Sequence, residues 1–110
     1  MANTFKNKLE RQIGTSLTAI ESYTVPASTE TTVIGLTVSN TTAGTIEVDV
    51  TVNDATNDYY VVKTAPVPSG GSLVVVGGDQ KLVLTTGDSV KVKSDTATSA
   101  DVVMSILEIT

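Results

Sequence analysis

Thr45-Ile46-Glu47-Val48-Asp49-Val50-Thr51-Val52 alternates without a break. In an extended chain Ile46, Val48, Val50 and Val52 fall on one side, and Thr45, Glu47, Asp49 and Thr51 on the other. A period of two with charge on one side only is the pattern of a half-buried antiparallel strand with one wet face. Thr41-Thr42-Ala43-Gly44 precedes it as a turn, and Thr32 to Ser39 places Ile34, Leu36 and Val38 on one face. Residues 32–52 therefore read as a hairpin. Further strands are predicted near 17–24, 58–64, 72–77, 80–86, 89–94 and 101–109. The breaks between them have mechanisms. Pro66 and Pro68 interrupt pairing and Ser69-Gly70-Gly71 turns the chain, while Gly77-Gly78-Asp79 and Gly87-Asp88 supply the positive φ that tight turns need. About eight strands at this spacing predict an all-β fold, a single antiparallel β-sandwich of immunoglobulin-like or jelly-roll order.

Composition agrees. The chain of 110 residues holds 19 Thr and 17 Val, both stiff at χ1 and suited to a pleated surface, but no Cys, His or Trp. One core is all that this length supports. Without Cys or His there are no disulfides, no thiolate or imidazole metal ligands and no imidazole proton shuttle.

Residues 1–16 read differently from residues 17–110. Phe5, Leu9 and Ile13 recur every fourth residue, one stripe of a helix that Asn3 or Thr4 caps and Gly14 stops. A helix of about ten residues is marginal alone in water, so the stripe needs a surface to lie on. The segment is thus expected to be a helical or extended docking arm, and residues 17–110 the sandwich. Charge divides along the same line: Lys6, Lys8, Arg11 and Glu10 give the first 13 residues +2, and the remainder carries −7. A small basic arm on an acidic body suits contact with protein; nucleic acid calls for several phosphate contacts and stacking aromatics that are scarce here.

No signal-peptide core or span of about 20 apolar residues interrupts the pattern, so no membrane partner and cytoplasmic synthesis are expected. The sequon Asn40-Thr41-Thr42 is more simply a turn. Leu73-Val74-Val75-Val76 is apolar on both sides, and Val33, Val83, Leu107 and Ile109 lie opposite the inward sets of their strands. A small sandwich has two outer faces in water, so this surplus predicts a partner, and the apolar C-terminal strand is a template for pairing if it forms an edge.

Reactive constellations are thin. A Ser–Lys pair would draw on Lys63, Lys81, Lys91 or Lys93, but no flanking pattern selects one. Glu47 and Asp49 share the outer face of a strand, where two carboxylates more simply keep it soluble. The loop Asn53-Asp54-Ala55-Thr56-Asn57-Asp58 offers oxygen ligands suited to calcium without the spacing of an EF-hand. Of the pair Tyr59-Tyr60, one ring is expected in the core and the other outward as a contact. No catalytic residue, cofactor or metal is assigned. Asp54, Asp58, Tyr59 and Tyr60 are the ligand-contact candidates of a second hypothesis, a carbohydrate- or host-surface-binding module of a fibre.

Several stretches coincide with a known pattern: Phe5-Lys6-Asn7, Tyr23-Thr24-Val25-Pro26-Ala27 and Thr31-Thr32-Val33-Ile34-Gly35-Leu36, then Val62 to Leu73, Gly77 to Leu84 and Thr86 to Val92. Together they resemble small virion structural proteins of tailed bacteriophages, of the marine and cyanobacterial type. The resemblance implies a non-enzymatic β-sandwich subunit of the particle, made in the host cytoplasm and residing in the virion. It implies a capsid decoration or cement role, or a neck, collar or tail-attachment one, as a homo-oligomer whose partners are other virion proteins. The interface candidates are Phe5, Lys6, Lys8, Leu9, Arg11, Ile13, Leu107 and Ile109.

Overall fold

A computed structural model of the protein describes residues 2–77 and 80–110. Among them are nine strands: β1 Asn3–Ile13, β2 Thr18–Ala19, β3 Glu30–Asn40, β4 Ile46–Asn53, β5 Asp58–Val67, β6 Ser72–Val76, β7 Leu82–Leu84, β8 Ser89–Ser94 and β9 Ala100–Ile109. They form two antiparallel sheets. One runs β1-β9-β3, with β6 and β7 lying end to end along β3; the other runs β2-β8-β4-β5. Counting β6 and β7 as one strand gives four strands per sheet, and the chain passes between the sheets in jelly-roll order.

Alternation decides what is buried. Val33, Leu36, Val38, Met104 and Ile106 from the first sheet meet Ile46, Val48, Val50, Val90 and Val92 from the second, all at most 1 % exposed. Ile46, Val48 and Val50 are three of the four inward residues read from the deciding stretch; the fourth, Val52, is partly buried against the core.

Four expectations are corrected. The N-terminal segment is a strand, paired with β9 from Asn3↔Ile109 to Ile13↔Ala100. A spacing of four is even, so it satisfies a strand face as well as a helix stripe, and β9 supplies a hydrogen-bonding partner that an isolated helix lacks. A register shift between Glu10 and Ile13, with Gln12 at φ 59°, turns Ile13 away from the side shared by Phe5 and Leu9. Ile13 is therefore 2 % exposed and belongs to the core, not to a docking stripe.

Residues 32–52 are not a hairpin either, because β3 and β4 lie in different sheets. Asn40, 3 % exposed, builds the arch between them. Its Nδ2 donates to the Gly44 and Val67 carbonyls at 2.7 and 2.9 Å, and its Oδ1 accepts from Thr42 N and Thr42 Oγ1, both at 2.8 Å. The expected turn is present, but it changes sheet. In β3 a bulge between Val33 and Gly35 brings Val33 inward, where it is fully buried, and leaves Ile34 out of the core. Lastly, Pro66 does not end its strand: β5 is an edge, where a missing N–H costs no ladder bond.

Of the turn at Gly77-Gly78-Asp79, Gly78 and Asp79 lie outside the described residues, as does Met1. Gly87 has φ 91°, the conformation its turn demands.

Candidate functional site

The two sheets present unlike faces to solvent. On the first, β1 and β9 pair so that Phe5, Asn7 and Leu9 stand beside Leu107, Ser105 and Val103 on the side away from the core. The pairing carries these positions across the sheet in rows. One row is Leu9–Val103–Thr37–Val74 and another is Phe5–Leu107–Thr32–Val83. Between them runs the lower row Asn7–Ser105–Gly35. Phe5 is 74 % exposed, Val83 68 % and Val74 63 %, with Val103 and Leu9 about half exposed. No residue in these three rows is charged.

The outer face of the second sheet carries charges of both signs. Asp49 pairs with Lys93 and Thr51 with Lys91 across β4 and β8. Asp49 Oδ1 accepts from Thr64 N at 2.7 Å, its Oδ2 lies 4.0 Å from Lys93 Nζ, and Lys63 Nζ sits 4.5 Å from the Tyr60 ring centre. Glu47 and Asp49 line an open depression of about 240 Å³ with Lys63, Lys93 and Asp95.

Behind β1 lies a polar cluster that fixes this strand. Its inward positions are Lys6, Lys8 and Glu10, registered against Ile106, Met104 and Val102. Lys6 Nζ meets Glu108 Oε1 at 2.8 Å, and Tyr23 Oη donates to Glu108 Oε2 at 2.7 Å while lying 2.8 Å from Thr31 Oγ1. The bonds from Lys6 and Tyr23 hold the Glu108 carboxyl below its ordinary pKa. Burial, reinforced by the bond to Glu108, pushes the Tyr23 hydroxyl up to about 12. Lys8 Nζ lies 5.1 Å from the Tyr23 ring centre and 3.7 Å from Glu21 Oε2. Glu21, on the short 3-10 turn Ile20–Ser22, also accepts from Leu9 N at 3.0 Å and donates its own N–H to Glu10 Oε1 at 2.8 Å. Inward-pointing charge is a common way to blunt an edge strand, and β1 is an edge.

The predicted residues thus separate. Phe5, Leu9, Leu107 and Ile109 share the outer face of the first sheet, while Lys6 and Lys8 turn inward to hold β1 in place. Arg11 is exposed at the end of that face, beside a depression of about 400 Å³ that it lines with Leu9, Glu10, Asp101, Val102 and Val103.

The loop candidates lie at the far end of the second sheet. Asp54 Oδ1 accepts from Thr56 N and Asn57 N, and its Oδ2 from Tyr59 Oη at 3.1 Å; the two backbone bonds lower its pKa. Asp58 Oδ1 accepts from Thr51 Oγ1 and Asn53 Nδ2. Neither tyrosine ring is in the core, contrary to expectation: Tyr59 is 54 % and Tyr60 50 % exposed, because β5 is an edge strand. Among the described residues no group of three or more Asp or Glu is placed to hold a metal ion.

Sequence reasoning missed the Lys6–Glu108–Tyr23–Thr31 cluster, whose members span more than a hundred positions. No local signal marks it; only the polar Glu108 at an inward position of an otherwise apolar strand hints at a buried partner.

No protein-family model matches the chain, and no curated protein matches it. Solved structures do. A chain of the disulfide-linked pili that form Bacillus endospore appendages superposes with TM-score 0.58 at 14 % identity, covering 98 % of this chain and 88 % of that one. A chain of the acidic stable capsid of Helicobacter pylori bacteriophage KHP30 gives 0.57 at 12 %, covering 98 % and 87 %. The nucleoplasmin-like N-terminal domain of Drosophila FKBP39 gives 0.50 at 11 %, covering 98 % and 91 %. At these identities the shared property is the fold, a β-sandwich that spans nearly the whole chain.

Proposed function

We propose that this protein is a non-enzymatic structural subunit of a tailed-phage virion, a capsid decoration or cement protein that works as a homo-oligomer bound to other virion proteins. Neck, collar and tail-attachment positions are alternative placements of the same kind of subunit. The observation that carries the proposal is the outer face of the first sheet, where three adjoining rows hold exposed apolar residues and no charge in an otherwise acidic small domain. A chain of net charge −5 that left such a face in water would tend to associate without specificity, so the face belongs against another subunit. The fold shared with a phage capsid chain supports the placement, as does the sequence resemblance from Phe5 to Val92. The polar groups near the face serve to lock β1, which suits a surface held rigid for assembly.

Quantitative mass spectrometry of purified, salt-washed particles of the source phage tests the proposal. The chain is expected at a fixed ratio to the major capsid protein, and an antibody raised against it is expected to label intact particles. Recovery only in the soluble fraction of the lysate would overturn the virion assignment. Deleting residues 1–16 is a poor test, because it strips an edge strand and Ile13 from the sandwich.

A further inference from the structure

The three rows on the outer face of the first sheet differ in height. Phe5–Leu107–Thr32–Val83 and Leu9–Val103–Thr37–Val74 are ridges, and Asn7–Ser105–Gly35 is a groove between them. The ridges lie four residues apart along the strands, about 13 Å, with the groove about 6.6 Å from each. At Gly35 nothing in the chain fills the place of a side chain; the nearest atom to an added Cβ would be Val76 O at 3.9 Å. Beyond the Leu9 ridge lies the depression of about 400 Å³ beside Arg11. A cavity of about 150 Å³ accommodates a benzene ring, so a phenyl group fits it.

We propose that a second copy of this chain occupies the face, packed sheet to sheet about a two-fold axis that runs along the rows. An axis half a step from the groove, on the Leu9 side, seats each copy's Leu9 ridge in the other's Asn7 groove. The same operation brings Phe5 of each copy to the depression beside Arg11 of the other, where a guanidinium faces an aromatic ring. The face is thus self-complementary, as an isologous contact requires.

Two further observations select a second copy as the occupant. The first is area. Strands of 10 or 11 residues in β1, β3 and β9, with β6 and β7 alongside, give a face on the order of 700 Å². Each partner in an interface of standard size contributes roughly 800 Å². The second is charge. The body is acidic, yet the ridges and groove are neutral, so two copies meet here without setting like charges against each other. The second sheet instead sets Glu47, Asp49 and Asp95 beside Lys63 and Lys93 on its outer face, so a copy packed there would have to take charged groups out of water. The inference rests on the assembly proposal above and adds the partner and the geometry.

Sedimentation equilibrium of the full chain tests it. The wild type is expected to pass from monomer to dimer within the micromolar range. Val103→Lys, which places a charge at the centre of the face, is expected to weaken the dimer on the order of 100-fold or more. Phe5→Ser, at a fully outward ring, provides a second variant that does not load the strand with charge, and Glu47→Lys on the other sheet is expected to leave association unchanged. Circular dichroism checks that each variant stays folded. The chain has no cysteine, so Phe5→Cys mixed with Arg11→Cys is expected to form a disulfide-linked heterodimer faster than either variant alone. A monomeric wild type, a dimer indifferent to Val103→Lys and Phe5→Ser, or no preference for the mixed disulfide would each overturn the inference. A monomeric chain that still joins particles would remove self-pairing and leave the virion proposal standing.

Discussion

The outer faces of the two sheets carry opposite chemistry. On the second sheet the outward positions of β4 and β8 include Glu47, Asp49, Lys91 and Lys93, with Asp49 facing Lys93 and accepting from Thr64 N. On the first, the outward positions of β1, β9, β6 and β7 include Phe5, Leu9, Val103, Leu107, Val74 and Val83, and β3 contributes Thr32 and Thr37. Threonine is a β-branched residue that fits a sheet in either environment. At Thr32 and Thr37 it extends the outward rows between apolar neighbours without adding charge. The difference teaches that, apart from Tyr59 and Tyr60 on the edge of the second sheet, the exposed large apolar residues among those described are collected by strand register into one plane.

That plane is outside the core, and substitutions separate the two. Ile106 and Val103 lie three positions apart on β9 but on opposite sides. Ile106→Ala is expected to cost about 2–5 kcal/mol in urea unfolding, because it leaves a cavity between the sheets. Val103→Ala is expected to stay within about 0.5 kcal/mol for the monomer. An equal loss at both positions would show that the outer face is buried within the chain and would remove the contrast.

The next effect is set by pH and concerns the cluster that holds β1. Glu108 has a folded pKa below its ordinary value of 4.5, so its contribution is complete above that value and is lost as pH falls through the lowered one. Tyr23 has a folded pKa raised from 10.0 to about 12, so its contribution is complete below pH 10 and is lost as pH climbs toward 12. Thermal melts across pH are expected to fall at both ends. Glu108→Gln, which keeps the shape and removes the charge, is expected to cost about 1–3 kcal/mol near neutral pH and to flatten the acid limb. Tyr23→Phe is expected to remove the alkaline limb. A Glu108→Gln variant with the same acid limb as the wild type would assign that limb to other carboxylates.

The smallest effect belongs to the charged face. Lys93→Met deletes a pair held at 4.0 Å with Lys93 41 % exposed, and such a pair contributes within about 0.5 kcal/mol. Its unfolding midpoint is expected to match the wild type within error. A larger loss would mean that the charged face stabilises the fold as well as keeping it in solution.

Much of the fold was legible because parity survives folding. Ile46, Val48 and Val50 are inward as the alternation says, and Phe5 and Leu9 share a side whether the segment is read as helix or strand. Legibility ended at bulges. One extra residue inverts every position beyond it, which is how Ile13 and Val33 entered the core against expectation. The tyrosine pair failed for another reason, since an edge strand has no neighbour to cover its rings. Of the candidate surface, Phe5, Leu9, Leu107 and Ile109 were named from sequence, and Val74 and Val83 lay among its surplus apolar residues. Nothing local could say that Val103 stands next to Leu9.

By itself the sequence determined the all-β class and the rough limits of the strands after residue 30, but not the eleven-residue β1 or the short β2, which ends in a 3-10 turn where a strand over 17–24 was expected. Class and limits depend on residue type and on near neighbours, where sterics and periodicity act directly. Only the tertiary structure decided which sheet each strand joins, which register aligns the apolar rows, and which buried partners meet Glu108. Such choices are fixed by contacts between positions as far apart as Lys6 and Glu108, and a periodicity of two is equally satisfied by many pairings. Burial of the whole inner set at once selects one of them, and that selection leaves the uncharged rows together on a single outer face.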